Sequence, residues 1–481
     1  AHTTRWQREL AYSSPARHAF EVAFSEVQVH VQVVVNKHTA RPIVYATLTA
    51  RLPAAPDAVA ARSATMETKI GTLIKPIIKK VVLAVANLDC VDVADYKKTD
   101  ALPGNAIIVH DDRLYTRVIT KGSLAFGEAY MDGDWTPATS LMDVLTGAIK
   151  AGSLEGKLQA VFKFFQFLSA NLGWINPQSI FRSTKVAKMH YDLGNDIYEK
   201  MLCSHMQYTC AYWKGCNDLT WQGNIIGGLE QAQRQKLDLI GRKLKLKPGM
   251  RVLELGGGFG GLSYYLCTHF GVSVHACDLS VEHEVYSKEH FNHENKTFEI
   301  IDYRDFLKRH IREGTPLFDR VVSVGMMEHV GPRNFPNFFR QIRKVIKPQG
   351  LFLLHTIGNS VDDRNQDPWF EKYVFPGACI PGPQTFFQPG CIGDGWKLED
   401  WHNFGVDYKR TCQAWWDNSI AARGELPAEK YDDRFWRMWE YYLQGSAAGF
   451  AARSIHLWQF VLSPAGLPDD FEGRGGYERE N

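Results

Sequence analysis

With 481 residues, 45% of them apolar and 22% charged, the chain has ordinary globular makeup and the length for two domains, or three at a stretch. Its formal net charge of +2 gives no global field to draw it onto nucleic acid. No run approaches the roughly 18–20 apolar residues of a membrane span, and the opening residues lack the basic leader and apolar run of a secretory signal.

The nine cysteines are scattered, with no CxxC pair and no Cys/His zinc spacing. That pattern predicts free thiols in a reducing compartment and no metal site.

Along the chain, residues 20–35 partly alternate apolar and polar positions (Val22 and Phe24, then Val27, Val29 and Val31), as half-buried strands do. The stretch 52–64 is rich in Ala and interrupted by Pro53 and Pro56, and reads as a linker. A basic, apolar-rich segment over 67–87 has helical character that Pro76 breaks or kinks. Its Lys75, Lys79 and Lys80 read as a solvated face in preference to a membrane-surface patch.

The run KGSLAFGEAYMDGDW over 121–135 is turn-rich and aromatic. Over 141–172 the spacing of Leu141, Val144, Leu145, Val161, Phe164, Phe165 and Leu168 predicts helices. This gives a small helical domain over 107–175, preceded by an unassigned, partly flexible region over 1–106 and followed by a polar linker over 176–188.

From Met189 the pattern changes. Strands over 251–255, 272–277, 298–301, 319–324 and 350–357 alternate with helices over 260–270, 281–291 and 335–346. Such alternation implies an α/β domain over 189–465, a parallel, doubly wound sheet with helices on both faces. Residues 466–481 read as a flexible tail.

The segment VLELGGGFGG (252–261) runs an apolar strand into a glycine turn and then a helix. Glycine lets the backbone turn sharply and approach a ligand, at the strand end where open α/β sheets bind cofactors. Two cofactors compete. Gly256, Gly258 and Gly261 satisfy G-x-G-x-x-G, and Asp278 follows at the end of the next strand, as in dinucleotide sites. Glu254, two positions before the first glycine, suits S-adenosylmethionine instead. On the loop alone a methyltransferase, a dehydrogenase and a structural turn all remain open.

Longer motifs flank this loop: HYDLGNDIYEKML (190–202), MQYTCAYW (206–213), IDYRDF (301–306), VSVGMMEHVGPRNF (322–335), LFLLHTIG (351–358) and EDWHNFGVDY (399–408). Together with KGSLAFGEAYMDGDW and in this order, they resemble bacterial cyclopropane-fatty-acid synthases and their mycolic-acid relatives. The resemblance covers about 107–463 and implies a Rossmann-like methyltransferase domain behind a small N-terminal helical domain.

The implied reaction is methylene transfer from S-adenosylmethionine to the cis double bond of an unsaturated phospholipid acyl chain, giving a cyclopropane. An isolated alkene has nothing to ionise, so the sulfonium must be held close to it in a dry slot. Methyl addition leaves a carbocation, which aromatic faces stabilise by about 0.5–2 kcal/mol per contact. Tyr191, Tyr208, Tyr212, Trp213, Trp369, Phe370 and Tyr408 are available; outside the motifs each reads as ordinary core.

Ring closure removes a proton from the delivered methyl, and the resemblance implies bicarbonate as the base. The implied holders are Cys210, Glu328, His355, a backbone position at Ile357, and Tyr408. The implied cofactor positions are Tyr191, Gly256, Gly258, Asp278 and Asp302, the last of which also reads as a helix N-cap. Glu254, Gly257, Phe259, Asp278 and His283 depart from the family's usual residues, and the segment 215–229 reads as a longer loop than usual.

The resemblance further implies a cytoplasmic enzyme that meets its phospholipid from the water side of a membrane, with a homodimer possible. Lipid C-methylation without ring closure, and cofactor binding without turnover, stay open.

Overall fold

A parallel strand crossed by helices on both sides buries both faces, and the stretch RVLEL supplies apolar residues to each, with Glu254 as the one buried charge-bearing exception. Leu253 and Leu255 pack into one apolar cluster and Val252 into another. The computed structural model describes residues 28–35, 42–49, 89–92, 105–152, 194–214, 225–362 and 366–467. The chain forms two units, Ala1–Met66 and Glu67–Asn481.

In the first unit, β1 (Gln28–Val35) pairs antiparallel with β2 (Pro42–Thr49). The strand expected over 20–35 is therefore present from Gln28. The expected linker over 52–64, the helical segment over 67–87 and the polar linker over 176–188 lie outside the described residues, as does the chain beyond 467.

The second unit holds two sheets. In the smaller, β3 (Asp89–Asp92) runs parallel to β4 (Ala106–Val109), which pairs antiparallel with β5 (Trp135–Pro137). The larger comprises β6 (Arg251–Leu255), β7 (Ser273–Asp278), β8 (Lys296–Ile300), β9 (Phe318–Val324), β10 (Ile346–Asn359), β11 (Lys397–Asn403) and β12 (Ile455–Ser463). Their order is β11-β12-β10-β9-β6-β7-β8. The five strands β6 to β10 are mutually parallel, whereas β12 and β11 add as antiparallel strands. The strand order reverses between β6 and β9, so their carboxyl ends open a crevice of the kind that binds ligands.

The helices are α1 (Arg113–Met131), α2 (Leu141–Gly152), α3 (Asn195–Met201), α4 (Ile225–Lys243), α5 (Gly261–Phe270), α6 (Val281–His290), α7 (Tyr303–Glu313), α8 (Met327–Val330), α9 (Phe335–Val345), α10 (Pro368–Tyr373), α11 (Pro383–Phe386), α12 (Val406–Ala421) and α13 (Asp433–Ala451). Helix α9 shows why they form. Phe335, Phe338, Phe339, Ile342 and Val345 fall on one face and are buried, each contributing roughly 1.5–3 kcal/mol. Ser280 and Asp302 cap α6 and α7 by accepting from main-chain N–H groups. Helices α7 and α9 cover one face of the sheet, and α4 and α5 the other. The sheet is doubly wound, as expected.

Two expectations change. The run 121–135 is mostly helix: α1 continues through it to Met131, with a break in helical geometry at Gly122 (φ 57°, ψ −134°). Gly127, within that run, serves close approach, because a Cβ there would stand 2.4 Å from the Trp369 ring. The region expected to be a helical domain also carries β4 and β5, and the boundary at 106/107 falls inside β4. Polar contacts then tie α1 to the rest of the unit. Glu128 accepts from Lys372 (2.6 Å) and from the Tyr373 hydroxyl (2.9 Å), and the Tyr130 hydroxyl donates to Glu440 (2.6 Å).

Candidate active site

The glycine turn after β6 is shaped by what presses on it. Gly256 and Gly260 both have φ +85°, a left-handed backbone that side chains resist. At Gly261 the constraint is space, since a Cβ would stand 1.9 Å from the carbonyl oxygen of His205. The segment 203–207 therefore lies directly against the start of α5.

Asp278, at the end of β7, holds this loop. Its Oδ2 accepts from the Gly258 N–H (2.8 Å), and its Oδ1 from the N–H groups of Leu279 (2.8 Å) and Ser280 (2.9 Å). His283 Nδ1 lies 3.2 Å from the same Oδ1. Burial opposes the charge, but His283 and these N–H groups outweigh it and hold the carboxyl below its ordinary value.

Asp302 caps α7, accepting from the Arg304 N–H (2.9 Å), and is gripped by the Arg304 guanidinium at 2.8 and 2.6 Å. Both of its sequence readings survive, because it also lines the cavity described next. Glu254, on β6, is buried, with the Ser263 hydroxyl donating to it. Burial pushes its carboxyl up to about 7.

A cavity of about 300 Å³ opens at the strand ends. One part of its wall is Glu254, Gly256, Gly258, Asp278 and Asp302; another is Glu328, Ile357 and Tyr408. Four of the residues that the sequence assigned to the cofactor (Gly256, Gly258, Asp278 and Asp302) and three of those assigned to the base (Glu328, Ile357 and Tyr408) thus line one chamber. Tyr208, Phe259, Tyr303, Phe375 and Tyr442 add aromatic surface.

Glu328, on α8, is buried and unequally served. Its Oε1 accepts from the Ile357 N–H at 2.6 Å, while Oε2 is buried with no hydrogen-bond partner among the described residues. Burial raises its carboxyl above the ordinary value, although the Ile357 N–H works the other way. His355 is fully buried in β10, with Gln459 Nε2 3.1 Å from Nδ1. With Gln459 donating there, the ring proton sits on Nε2, which likewise has no partner among the described residues. Burial holds the ring well below its ordinary pKa, and the charges of Lys236 and Lys243 act in the same direction.

Cys210 is fully buried, its Sγ donating to the Ala211 carbonyl at 3.3 Å, and burial keeps the thiol protonated. It packs with Ile357, Tyr408, Phe404 and Leu457. Tyr408, in the first turn of α12, stacks on Phe450 at 4.4 Å. Burial, then Cys412, Cys210, Tyr442 and Glu328 in that order, keeps its phenol protonated.

The structure therefore brings Cys210, Glu328, Ile357 and Tyr408 together. Cys210 and His355 stand outside the lining residues. The Ile357 N–H, expected to face an anion, is engaged by Glu328 instead, so this main-chain position acts by orienting the carboxyl. Tyr191 lies outside the described residues. Of the aromatic candidates, Tyr208 and Tyr408 line the chamber. Trp369 belongs to the core, fully buried with its indole N–H toward Met131 Sδ.

Sequence reading missed Tyr442, whose hydroxyl pairs with that of Tyr208 at 2.6 Å, and the Phe375–Ala378 wall segment. It also passed over Gln233 and Lys236 on α4. These two stand at the core-facing spacing of Leu229 and Ile240, and polar residues in an apolar stripe were the available signal.

Comparison with known proteins follows the same lines. The family described as mycolic acid cyclopropane synthetase matches residues 178–460. The cyclopropane-fatty-acyl-phospholipid synthase of Escherichia coli (strain K12) is 42% identical over 367 residues, which cover 76% of this chain and 90% of that enzyme. Tuberculostearic acid methyltransferase UfaA1 of Mycobacterium tuberculosis (strain ATCC 25618 / H37Rv) is 29% identical, covering 76% and 84%. The solved structure of the cyclopropane synthase MmaA2 from Mycobacterium tuberculosis superposes with a TM-score of 0.50 at 25% identity, covering 58% of this chain and 98% of that one.

Proposed function

The chain belongs to the mycolic acid cyclopropane synthetase family, and from that premise we propose how its chamber forms a ring on a lipid. It is an S-adenosylmethionine-dependent methyltransferase that transfers a methylene unit to the double bond of an unsaturated acyl chain. The acyl chain belongs to a phospholipid, the class named for the E. coli relative. No helix among the described residues is long and apolar enough to cross a membrane. The enzyme reaches its lipid by contact with the membrane surface.

The observation that carries the ring-forming reading is the orphaned Glu328 Oε2 in the chamber wall, with a second orphaned atom, His355 Nε2, outside the lining residues. A buried polar atom without a partner costs about 1–3 kcal/mol. A small hydrogen-bearing oxyanion suits the Glu328 atom by donating to it, and in this reading it also accepts from His355, which stands outside the lining residues. Bicarbonate fits that description, and Tyr408 offers a further hydroxyl donor.

S-adenosylmethionine, when bound, supplies an electrophilic methyl, and bicarbonate supplies a base. The alkene of the acyl chain would take up that methyl, with the electrons of the sulfur–methyl bond returning to sulfur. The proton lost from the delivered methyl would pass to the bound bicarbonate, giving carbonic acid, and the freed C–H electron pair would close the ring. The protein's part is positional: Asp278 and the glycine loop fix the cofactor end, and Glu328 and His355 orient the acceptor of the proton. Aromatic walls exclude water and face the transient cation.

The test is incubation with methyl-labelled S-adenosylmethionine and liposomes of cis-unsaturated phospholipid, followed by structural analysis of the fatty esters. Gain of one CH2 with loss of the double bond is expected. A saturated methyl-branched or methylene product would overturn ring closure and favour simple C-methylation.

Glu254 adds a pH dependence. S-adenosylmethionine carries a sulfonium and an ammonium, so an ionised Glu254 attracts it and a protonated one does not. Affinity should therefore rise as pH climbs through about 7, with proton release on binding that calorimetry in buffers of different ionisation heat detects. Glu254→Gln should flatten the profile. In the ligand-free protein the sign is opposite. The raised carboxyl contributes stability below its ordinary value of 4.5, and that contribution is lost as pH rises through about 7.

A further inference from the structure

Two lysines of α4 are wholly buried, and they differ in one respect. Lys243 forms an ion pair with Asp400 at 3.0 Å. Lys236 is fully buried too, but its ammonium donates only to neutral oxygens, Gln207 Oε1 and Thr209 Oγ1 (2.9 Å to the latter). No carboxylate among the described residues forms an ion pair with it. An ammonium is costly to bury without a counter-charge, and burial pulls this one down to about 8.

Its surroundings indicate what would compensate that cost. Gln207 and Thr209 both line the chamber, so the ammonium sits one layer beneath its wall. Gln233, one turn earlier on α4, donates to the Gln207 and Thr209 carbonyls at 3.3 and 2.8 Å, which fixes that layer in place. The ionisable groups that feel the charge are Cys203, Cys210 and Glu254, together with His355.

The anion set has no cation of its own. Cys210 and Tyr408 are held protonated, His355 is held neutral, and Glu328 is at best neutral. A buried anion needs a compensating charge. Among the described residues, Arg304 in the chamber wall is paired with Asp302; of the two lysines whose charge acts on His355, Lys243 is already paired with Asp400, which leaves Lys236.

We propose that Lys236 is a positioning residue that supplies the fixed counter-charge for the small oxyanion held by Cys210, Glu328, His355 and Tyr408. This rests on the reading that the chamber binds bicarbonate. Lys236 touches neither lipid nor cofactor; it sets the potential at the anion and holds the Gln207–Thr209 wall.

The test is Lys236→Met, which keeps the aliphatic stem and removes the charge. Two readouts are taken: the rise in melting temperature of the lipid-free protein on titration with sodium bicarbonate, and S-adenosylmethionine affinity by calorimetry. The bicarbonate midpoint should weaken by about tenfold or more, as loss of one nearby unit charge implies, while cofactor affinity stays near that of the wild type. An unchanged bicarbonate midpoint would overturn the proposal and leave Lys236 a wall anchor. Loss of cofactor affinity with an unchanged midpoint would overturn it as well, reassigning the charge to the cofactor's carboxylate. A wild-type protein that gives no bicarbonate response would defeat the underlying anion reading first, and is recognisable because it precedes any substitution. Should the Met variant fail to fold, Lys236→Gln keeps a donor toward Thr209 and reports the same two quantities.

Discussion

Glu328→Gln should reduce ring formation by about 10²- to 10⁴-fold, the range for a positioned proton-transfer group, while S-adenosylmethionine binds as before. The substitution is nearly isosteric, and the new amide oxygen can still accept from the Ile357 N–H that now meets Oε1 at 2.6 Å. What changes is the other atom. Oε2, buried and unpartnered, becomes an NH2 that can only donate. An oxyanion that offered its own hydrogen to Glu328 then loses its acceptor, and its orientation against the delivered methyl is lost with it. Calorimetry with S-adenosylmethionine and single-turnover product formation separate the two effects. Parallel loss of cofactor affinity, with turnover per bound complex unchanged, would count against the anion role.

Much of this site is legible in the residues, for identifiable reasons. The β6 loop is readable because Leu253 and Leu255 go to one apolar cluster and Val252 to another, and the glycines follow at once. The α9 helix is readable because its phenylalanines keep helical spacing. Where reading fails, tertiary contact decides. Gly127 imitates a turn residue, yet its lack of a Cβ admits Trp369, a residue 242 positions later by subtraction. Strand β11 (KLEDWHN) is polar enough to pass for loop, and becomes a strand by pairing with β12. The partner of the Ile357 N–H depends on where α8 places Glu328, and no local pattern carries that. Asp302 shows the converse, a residue whose two sequence readings were compatible from the start, since a cap at a strand's carboxyl end is also a cavity wall.

The other large effect belongs to Asp278. Asp278→Ala should lower S-adenosylmethionine affinity by about 100-fold or more, from the loss of charged hydrogen bonds each worth roughly 1.5–3 kcal/mol. The carboxylate has two duties. It is placed where a ribose hydroxyl pair is held in such folds, and in the protein alone it gathers the N–H groups of Gly258, Leu279 and Ser280 and the His283 ring. Removing it therefore loosens the loop as well as the ligand, and the melting temperature should fall together with affinity. Asp278→Asn separates the duties. Its oxygen can keep the Leu279 and Ser280 N–H groups, but its amide would face the Gly258 N–H, donor against donor. That variant should recover most of the stability and little of the affinity. If instead both variants bind the cofactor as the wild type does, Asp278 is only a loop clamp and the ribose is held by another part of the chamber.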